Sequence, residues 1–278
     1  MRRGLIYFVA LLLFSFLLSC EKEDESYNIE NCKIDYYSIY KNNEEVVEVV
    51  FEYNSVLEKI LVDYYKSTLL EIIVVNESGR VNTLIYSYGD ERTFLEVVEY
   101  EGDRISKLTR NYYVKTSFKK EANEDEFISS ESFSFFYDGD EIIGANYFVN
   151  VNSSLELQTI IEITRDGDNI STWTELNANK ELERKYTFVY DKKSNPFKGM
   201  MISEVSPYIY FKSSHILNYF NSNNLRYVEL TDADGNNIAS VTNNIQYNNS
   251  SLVNYISSEG DGNYSDAGYT INLLYTCR

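Results

Sequence analysis

The sequence predicts an all-β fold, an antiparallel meander of repeated hairpins with little helix, and three observations carry that expectation. The first is the kind of apolar residue present. The 278 residues include 26 Tyr and 15 Phe beside only 3 Met and 2 Pro, and Tyr, Phe, Val and Ile suit a pleated, half-buried surface. The second is the thin supply of helix formers, with few alanines after the first twenty residues. The third is a recurring unit of aromatic-rich strand, tight polar turn and second apolar strand. That unit makes an open twisted sheet or a partly closed barrel the expected architecture.

The unit is clearest in Val97-Val98-Glu99-Tyr100 followed by Glu101-Gly102-Asp103-Arg104-Ile105. It returns as Phe135-Phe136-Tyr137 with Asp138-Gly139-Asp140-Glu141-Ile142, and as Ile163-Thr164-Arg165 with Asp166-Gly167-Asp168-Asn169-Ile170. The shared core is x-Gly-Asp-x-Ile. Glycine supplies the positive φ that a tight hairpin demands, and the acids or Asn beside it hydrogen-bond the turn's own backbone. Looser copies surround Gly79-Arg80-Val81, Tyr190-Asp191, Asp232 to Ile238, and Tyr247 to Leu252. The turn anchors Tyr100, Tyr137, Arg165 and Tyr190 are 37, 28 and 25 residues apart, so the repeat is one of hairpins with variable outer loops and not a strict solenoid. Ser213 to Phe220 is the candidate helix, because Ile216, Leu217 and Phe220 share a face at helical spacing.

Ahead of the hairpins, Arg2 and Arg3 precede an apolar run from Leu5 to Leu18 that ends at Ser19-Cys20. Positive, then apolar, then small is the layout of an export signal. About fourteen residues of helix reach only about 21 Å, short of the roughly 30 Å hydrocarbon core. Leu17-Leu18-Ser19-Cys20 resembles a bacterial lipobox, which implies a lipid on the Cys20 thiol and cleavage before it. Two acyl chains already hold a protein firmly to a bilayer. Residues 1–19 are then a signal peptide, 20–31 an acylated cysteine with an acidic tether, and 32–278 a single β-meander domain. Lys22-Glu23-Asp24 is similar to the lysine-then-two-acids signal that sends lipoproteins of Bacteroidota to the outer face of the outer membrane. The resemblance therefore implies a lipid-anchored protein facing the cell exterior.

The repeats resemble the tyrosine-aspartate repeats of Rhs-type proteins, and more closely the repeat-built β-meander lipoproteins of the Bacteroidota outer membrane, a group whose function is not established. The likeness covers about residues 33 to 276. The Gly-Arg-Leu turn exit of Rhs repeats is approached only by Gly79-Arg80-Val81. What the resemblance implies is the antiparallel meander.

The formal charge is −18, and losing Arg2 and Arg3 with the leader takes it to −20. Such acidity repels phosphate backbones, which excludes nucleic acid as a partner. Beyond Cys20 there are Cys32 and Cys277, at opposite ends of the folded part. They are either a disulfide, which the chain-entropy model values at roughly 5 kcal/mol, or two unpaired thiols on terminal strands. A bridge requires the first and last strands to meet.

Nothing in the sequence assembles a histidine-based catalytic site. The single histidine, His215, has no Gly-x-Ser-x-Gly nucleophile signature around it, as a triad hydrolase would need. Neither a zinc site nor a cofactor is indicated. Asp103, Asp140 and Asp168 occupy equivalent turn positions, which argues for a structural role, and the remaining catalytic alternative is a hydrolase using carboxylates alone. Asp232 to Asn237 alternates oxygens like a calcium loop but lacks glycine at its sixth position and Glu at its twelfth. Gly260-Asp261-Gly262-Asn263 reads as a turn. Trp173, Tyr208 and Tyr210 are the candidate ligand contacts, flat rings with a polar edge that can stack on sugars or anchor a protein, against the plainer reading of cross-strand ladders. The expected role is non-catalytic binding of a glycan or an envelope protein, with a structural accessory subunit of an outer-membrane assembly as the alternative.

Overall fold

The computed structural model describes residues 32–54, 56–64, 68–88, 91–115, 125–151, 154–198, 214–264 and 268–277. The described residues form sixteen strands: β1 (Cys32–Lys41), β2 (Glu44–Asn54), β3 (Val56–Tyr64), β4 (Thr68–Glu77), β5 (Arg80–Tyr88), β6 (Glu91–Glu101), β7 (Arg104–Lys115), β8 (Asp125–Asp138), β9 (Glu141–Val151), β10 (Ser154–Asp166), β11 (Asn169–Asn177), β12 (Leu182–Ser194), β13 (Asn223–Asp232), β14 (Asn237–Tyr247), β15 (Val253–Gly262) and β16 (Tyr269–Cys277). One helix, α1 (Ser214–Phe220), lies between β12 and β13. It falls where the spacing of Ile216, Leu217 and Phe220 places it.

Each strand pairs antiparallel with its chain neighbours, and β1 pairs with β16, so the meander closes into a barrel. Cys32 stands opposite Cys277 and Tyr40 opposite Thr270 along this seam. The two cysteines form a disulfide with their Cα atoms 4.0 Å apart. Of the two expected architectures, the open sheet is therefore wrong. Pairing first and last strands removes the exposed edges that an open sheet would offer to other chains.

The repeated hairpins share a detail that their spacing did not disclose. In the β6–β7 hairpin Tyr100 pairs with Ile105 but Glu99 with Lys107, so Ser106 is an extra residue. Asn82, Ile143 and Ser171 are the equivalent extras after the turns at 78–79, 139–140 and 167–168. Such a bulge shifts the side-chain alternation by one. Ile105 and Leu108, three apart, consequently both point inward and are buried. Gly102 makes the turn at φ 62°, where an L side chain would be strained.

Most side chains inside the wall are apolar, with Glu96, Ser132, Asn243 and Ser258 buried among them, and the outer wall is mainly polar but also exposes Leu69, Ile73, Val75, Phe136 and Leu155. Along β14, buried Ala239, Val241 and Ile245 alternate with exposed Thr242, Asn244 and Gln246. Outward rows elsewhere carry pairs such as Glu162 opposite Thr174 and Thr174 opposite Lys185. The inward residues of all sixteen strands join one core, with Trp173, Tyr37 and Tyr86 fully buried. A round ring of sixteen strands leaves an aqueous channel. Here the inward side chains are buried together in one core.

One end of the barrel gathers the tight turns at 78–79, 102–103, 139–140 and 167–168, the disulfide, and α1. Ile216 and Leu217 of α1 are buried, and Phe220 sets its ring 5.8 Å from that of Phe135. Just after the helix, Asn221 Oδ1 accepts the Ile170 amide at 2.7 Å. The helix and Asn221 thus pack onto β8 and β11 at the turn end.

Candidate binding site

At the turn end, three tyrosines, Tyr53, Tyr100 and Tyr137, each tie their hairpin to the one before, whereas Tyr190 accepts from Asn221 Nδ2 at 2.8 Å. Tyr53 Oη donates to the Ile34 carbonyl at 3.0 Å, Tyr100 to Val81 at 2.9 Å and Tyr137 to Ile105 at 2.8 Å. A cation sits over each ring: Lys33 at 4.7 Å from the Tyr53 centroid, Arg80 at 5.4 Å from Tyr100 and Arg104 at 5.1 Å from Tyr137. The arginines go on to grip the next turn. Arg80 donates to the Gly102 carbonyl at 2.6 Å and pairs with Asp103, while Arg104 donates to the Gly139 carbonyl and lies 3.9 Å from Asp140. This arginine-to-turn grip gives the Gly-Asp of two repeats a structural job. Burial pushes the Tyr53 and Tyr137 phenols up to about 12 and raises Tyr100 as well.

Beside the first of the two arginine clamps a cleft of about 350 Å3 opens, lined by Glu77, Ser78, Arg80, Asn82 and Tyr100. The hairpin bulge places Asn82 there, and Ser78 holds a turn position at φ 53°. Asn82 Oδ1 accepts from Thr83 Oγ1 at 2.8 Å. Among the described residues its amide nitrogen, the Glu77 carboxylate and the Ser78 hydroxyl have no hydrogen-bond or ion-pair partner. Tyr219 of α1 interacts electrostatically with both Tyr100 and Arg80.

Toward the opposite end, inward side chains of β5 to β9 form a second polar cluster. Glu96 is 1% exposed. Tyr86 Oη donates to its Oε2 at 2.6 Å, Arg110 Nε donates to its Oε1 at 2.8 Å, and a second Arg110 nitrogen reaches the same oxygen. Glu131 accepts from Tyr112 at 2.8 Å on one oxygen and from Tyr147 at 2.5 Å on the other, and lies 3.9 Å from Arg110. The guanidinium stands 4.5 Å from the Phe94 ring centroid. Burial, then the hydrogen bonds to Glu131, raise the Tyr112 and Tyr147 phenols. Every carboxylate oxygen here already has a donor within the cluster.

Of the residues expected to touch a ligand, Trp173 requires correction. It is fully buried, and its indole N–H donates to Glu175 Oε1 at 3.1 Å, with Arg184 Nε on the other oxygen at 3.1 Å. The alternation of Trp173 with polar neighbours is real, but its side faces the core. Tyr208 and Tyr210 lie outside the described residues, as do Cys20, Lys22, Glu23 and Asp24. His215 lies in α1. The Asp232 carboxylate is occupied by its own loop, accepting the Asp234 and Asn236 amides at 3.0 and 2.9 Å. Hydrogen bonds from Asn236 hold it below the usual carboxylate range. Among the described residues no group of three or more His, Cys, Asp and Glu side chains could hold a metal ion.

Neither a family model nor a curated protein matches the sequence. Among solved structures, a porin-like protein from Bacteroides vulgatus ATCC 8482 superposes with a TM-score of 0.53 at 12% identity, covering 88% of this chain and 98% of that one. A porin-like protein from Bacteroides uniformis ATCC 8492 gives a TM-score of 0.40 at 12% identity, covering 88% and 96%. The first likeness is one of fold, a β-barrel. Against that frame the wall polarity stands out, since a membrane-spanning barrel carries an apolar band outside and polar residues within.

Proposed function

We propose that this protein is a lipid-anchored barrel of the outer membrane that binds a ligand at the cell exterior without conducting and without catalysis. The observation that carries the reading is the direction of the side chains: most inward residues are apolar and buried in one core, and Thr, Ser, Asn, Glu and Lys make up much of the outer wall, where apolar residues such as Leu69 and Leu155 are interspersed. A wall of that kind is stable in water, so attachment to the membrane falls to the lipid on Cys20. The Cys32–Cys277 disulfide fits an oxidising compartment outside the cytoplasm. The saturated carboxylates of Glu96 and Glu131 favour a structural over a catalytic use of the acids.

The test is the full chain carrying Cys20→Ala, expressed in its native envelope. It is expected in the detergent-free soluble fraction, and purified material added to planar bilayers should give no ionic current. Retention of the variant in washed membranes, or stepwise conductance, would overturn the reading.

A further inference from the structure

We infer that the cleft beside the Arg80 clamp is a binding site for a neutral sugar, a pyranose or short oligosaccharide without ionised groups. The inference deepens the binding role proposed above and rests on it. Three polar side chains around the cleft, Glu77, Ser78 and Asn82, are left without protein partners for the carboxylate, the hydroxyl and the amide nitrogen. A carboxylate only accepts hydrogen bonds, an amide nitrogen only donates, and a hydroxyl does both. Adjacent hydroxyls on a sugar ring meet that mixture, each donating in one direction and accepting from another.

The rest of the lining agrees. Tyr100 and Arg80 line the cleft together, the guanidinium 5.4 Å from the ring centroid, held by Tyr100 Oη on Val81 and by Arg80 on Gly102 and Asp103. Flat aromatic and guanidinium surfaces suit the apolar face of a pyranose. A volume of about 350 Å3 lies at the small end of ligand sites, about 300–1,000 Å3. Arg80 is neutralised by Asp103, whereas Glu77 is not paired, and the chain carries −18 overall. An anionic sugar is therefore repelled. The equivalent places in the following hairpin are Gly102 for Ser78 and Ser106 for Asn82, so the amide and the turn hydroxyl belong to the first clamp and not to its neighbour.

The experiment is a nuclear magnetic resonance titration of the full chain, purified in detergent, with maltose and with N-acetylglucosamine, against glucuronate and spermidine. Saturable binding of at least one neutral sugar is expected with Kd on the order of millimolar, with shifts at the Ser78 and Asn82 amides. Asn82→Ala and Glu77→Gln should each weaken it about tenfold, and glucuronate should not bind. Failure of both neutral sugars, binding that survives both substitutions, or a preference for spermidine or glucuronate would overturn the site. Fractionation and bilayer current test the anchored, non-conducting reading separately, so failure of one does not mimic failure of the other.

Discussion

The cluster around Glu96 and the cleft around Glu77 are built from the same residue types, a carboxylate, an arginine and tyrosines, and they differ in what is left over. Around Glu96 and Glu131 each carboxylate oxygen has a donor, and Arg110 bridges the two acids. Beside Glu77 the arginine is spent on the next turn, and the carboxylate faces the cleft unpaired. The difference follows from depth. Inside the barrel an unmatched charge would cost several kcal/mol, so the groups must satisfy one another. At the rim water is an adequate partner, and a ligand can replace it.

The sharpest way to break this comparison is to remove one partner on each side. Glu96→Ala leaves Arg110, 17% exposed, without its main counter-charge and should destabilise the fold by about 3–5 kcal/mol. The double variant Glu96→Leu with Arg110→Met should recover much of that loss, because a buried ion pair is often replaceable by apolar side chains of similar size. Urea unfolding followed by circular dichroism measures both. A Glu96→Ala variant as stable as the parent would show that the interior cluster is as loosely held as the rim.

Alkaline titration compares the two sites with a smaller effect. Burial raises the phenols of both, Tyr112 and Tyr147 inside, Tyr100 and Tyr137 at the turns, with Tyr137 reaching about 12. A group whose folded pKa is raised stabilises fully below its unfolded pKa, about 10 for tyrosine, and loses that contribution as pH climbs through the folded value. Stability should therefore hold flat up to about pH 10 and fall between about 10 and 12. Tyr137→Phe should remove part of this fall and cost about 1 kcal/mol at neutral pH through its lost hydrogen bond. A stability curve with no drop before pH 12 would contradict the burial of these rings.

The hairpins were legible in the sequence because turn chemistry is local: glycine at positive φ between acids fixes a two-residue turn whatever surrounds it. The short helix was legible for the same reason, since Ile216, Leu217 and Phe220 repeat within two turns. Closure was not, because pairing of Cys32 with Cys277 joins residues 245 apart and nothing local distinguishes a last strand from an edge. Alternation around Trp173 tells which residues share a face but not which face is inside, and in the structure Trp173 is buried in a cross-strand row between Ile163 and Tyr186. The cleft was half visible. Gly79-Arg80-Val81 stood out as a turn exit, but Asn82 reaches the cleft through a bulge, and Tyr100 arrives from the next hairpin.

The smallest expected effect is on the stability of the cleft itself, and it decides whether the cleft is a site or a joint. If Glu77 and Asn82 serve a ligand, Glu77→Gln and Asn82→Ala remove no internal contact of consequence beyond the Thr83 hydroxyl on Asn82. Each should then change unfolding free energy by no more than about 0.5 kcal/mol, as exposed substitutions do. Arg80→Ala at the same place takes away the ring stacking, the Gly102 contact and the Asp103 pair together, and should cost about 1–2 kcal/mol, because ion pairs and hydrogen bonds this exposed are worth little singly. Denaturant midpoints of the three variants separate the outcomes. Equal losses in all three would make Glu77 and Asn82 parts of the clamp and leave the cleft a seam between hairpins.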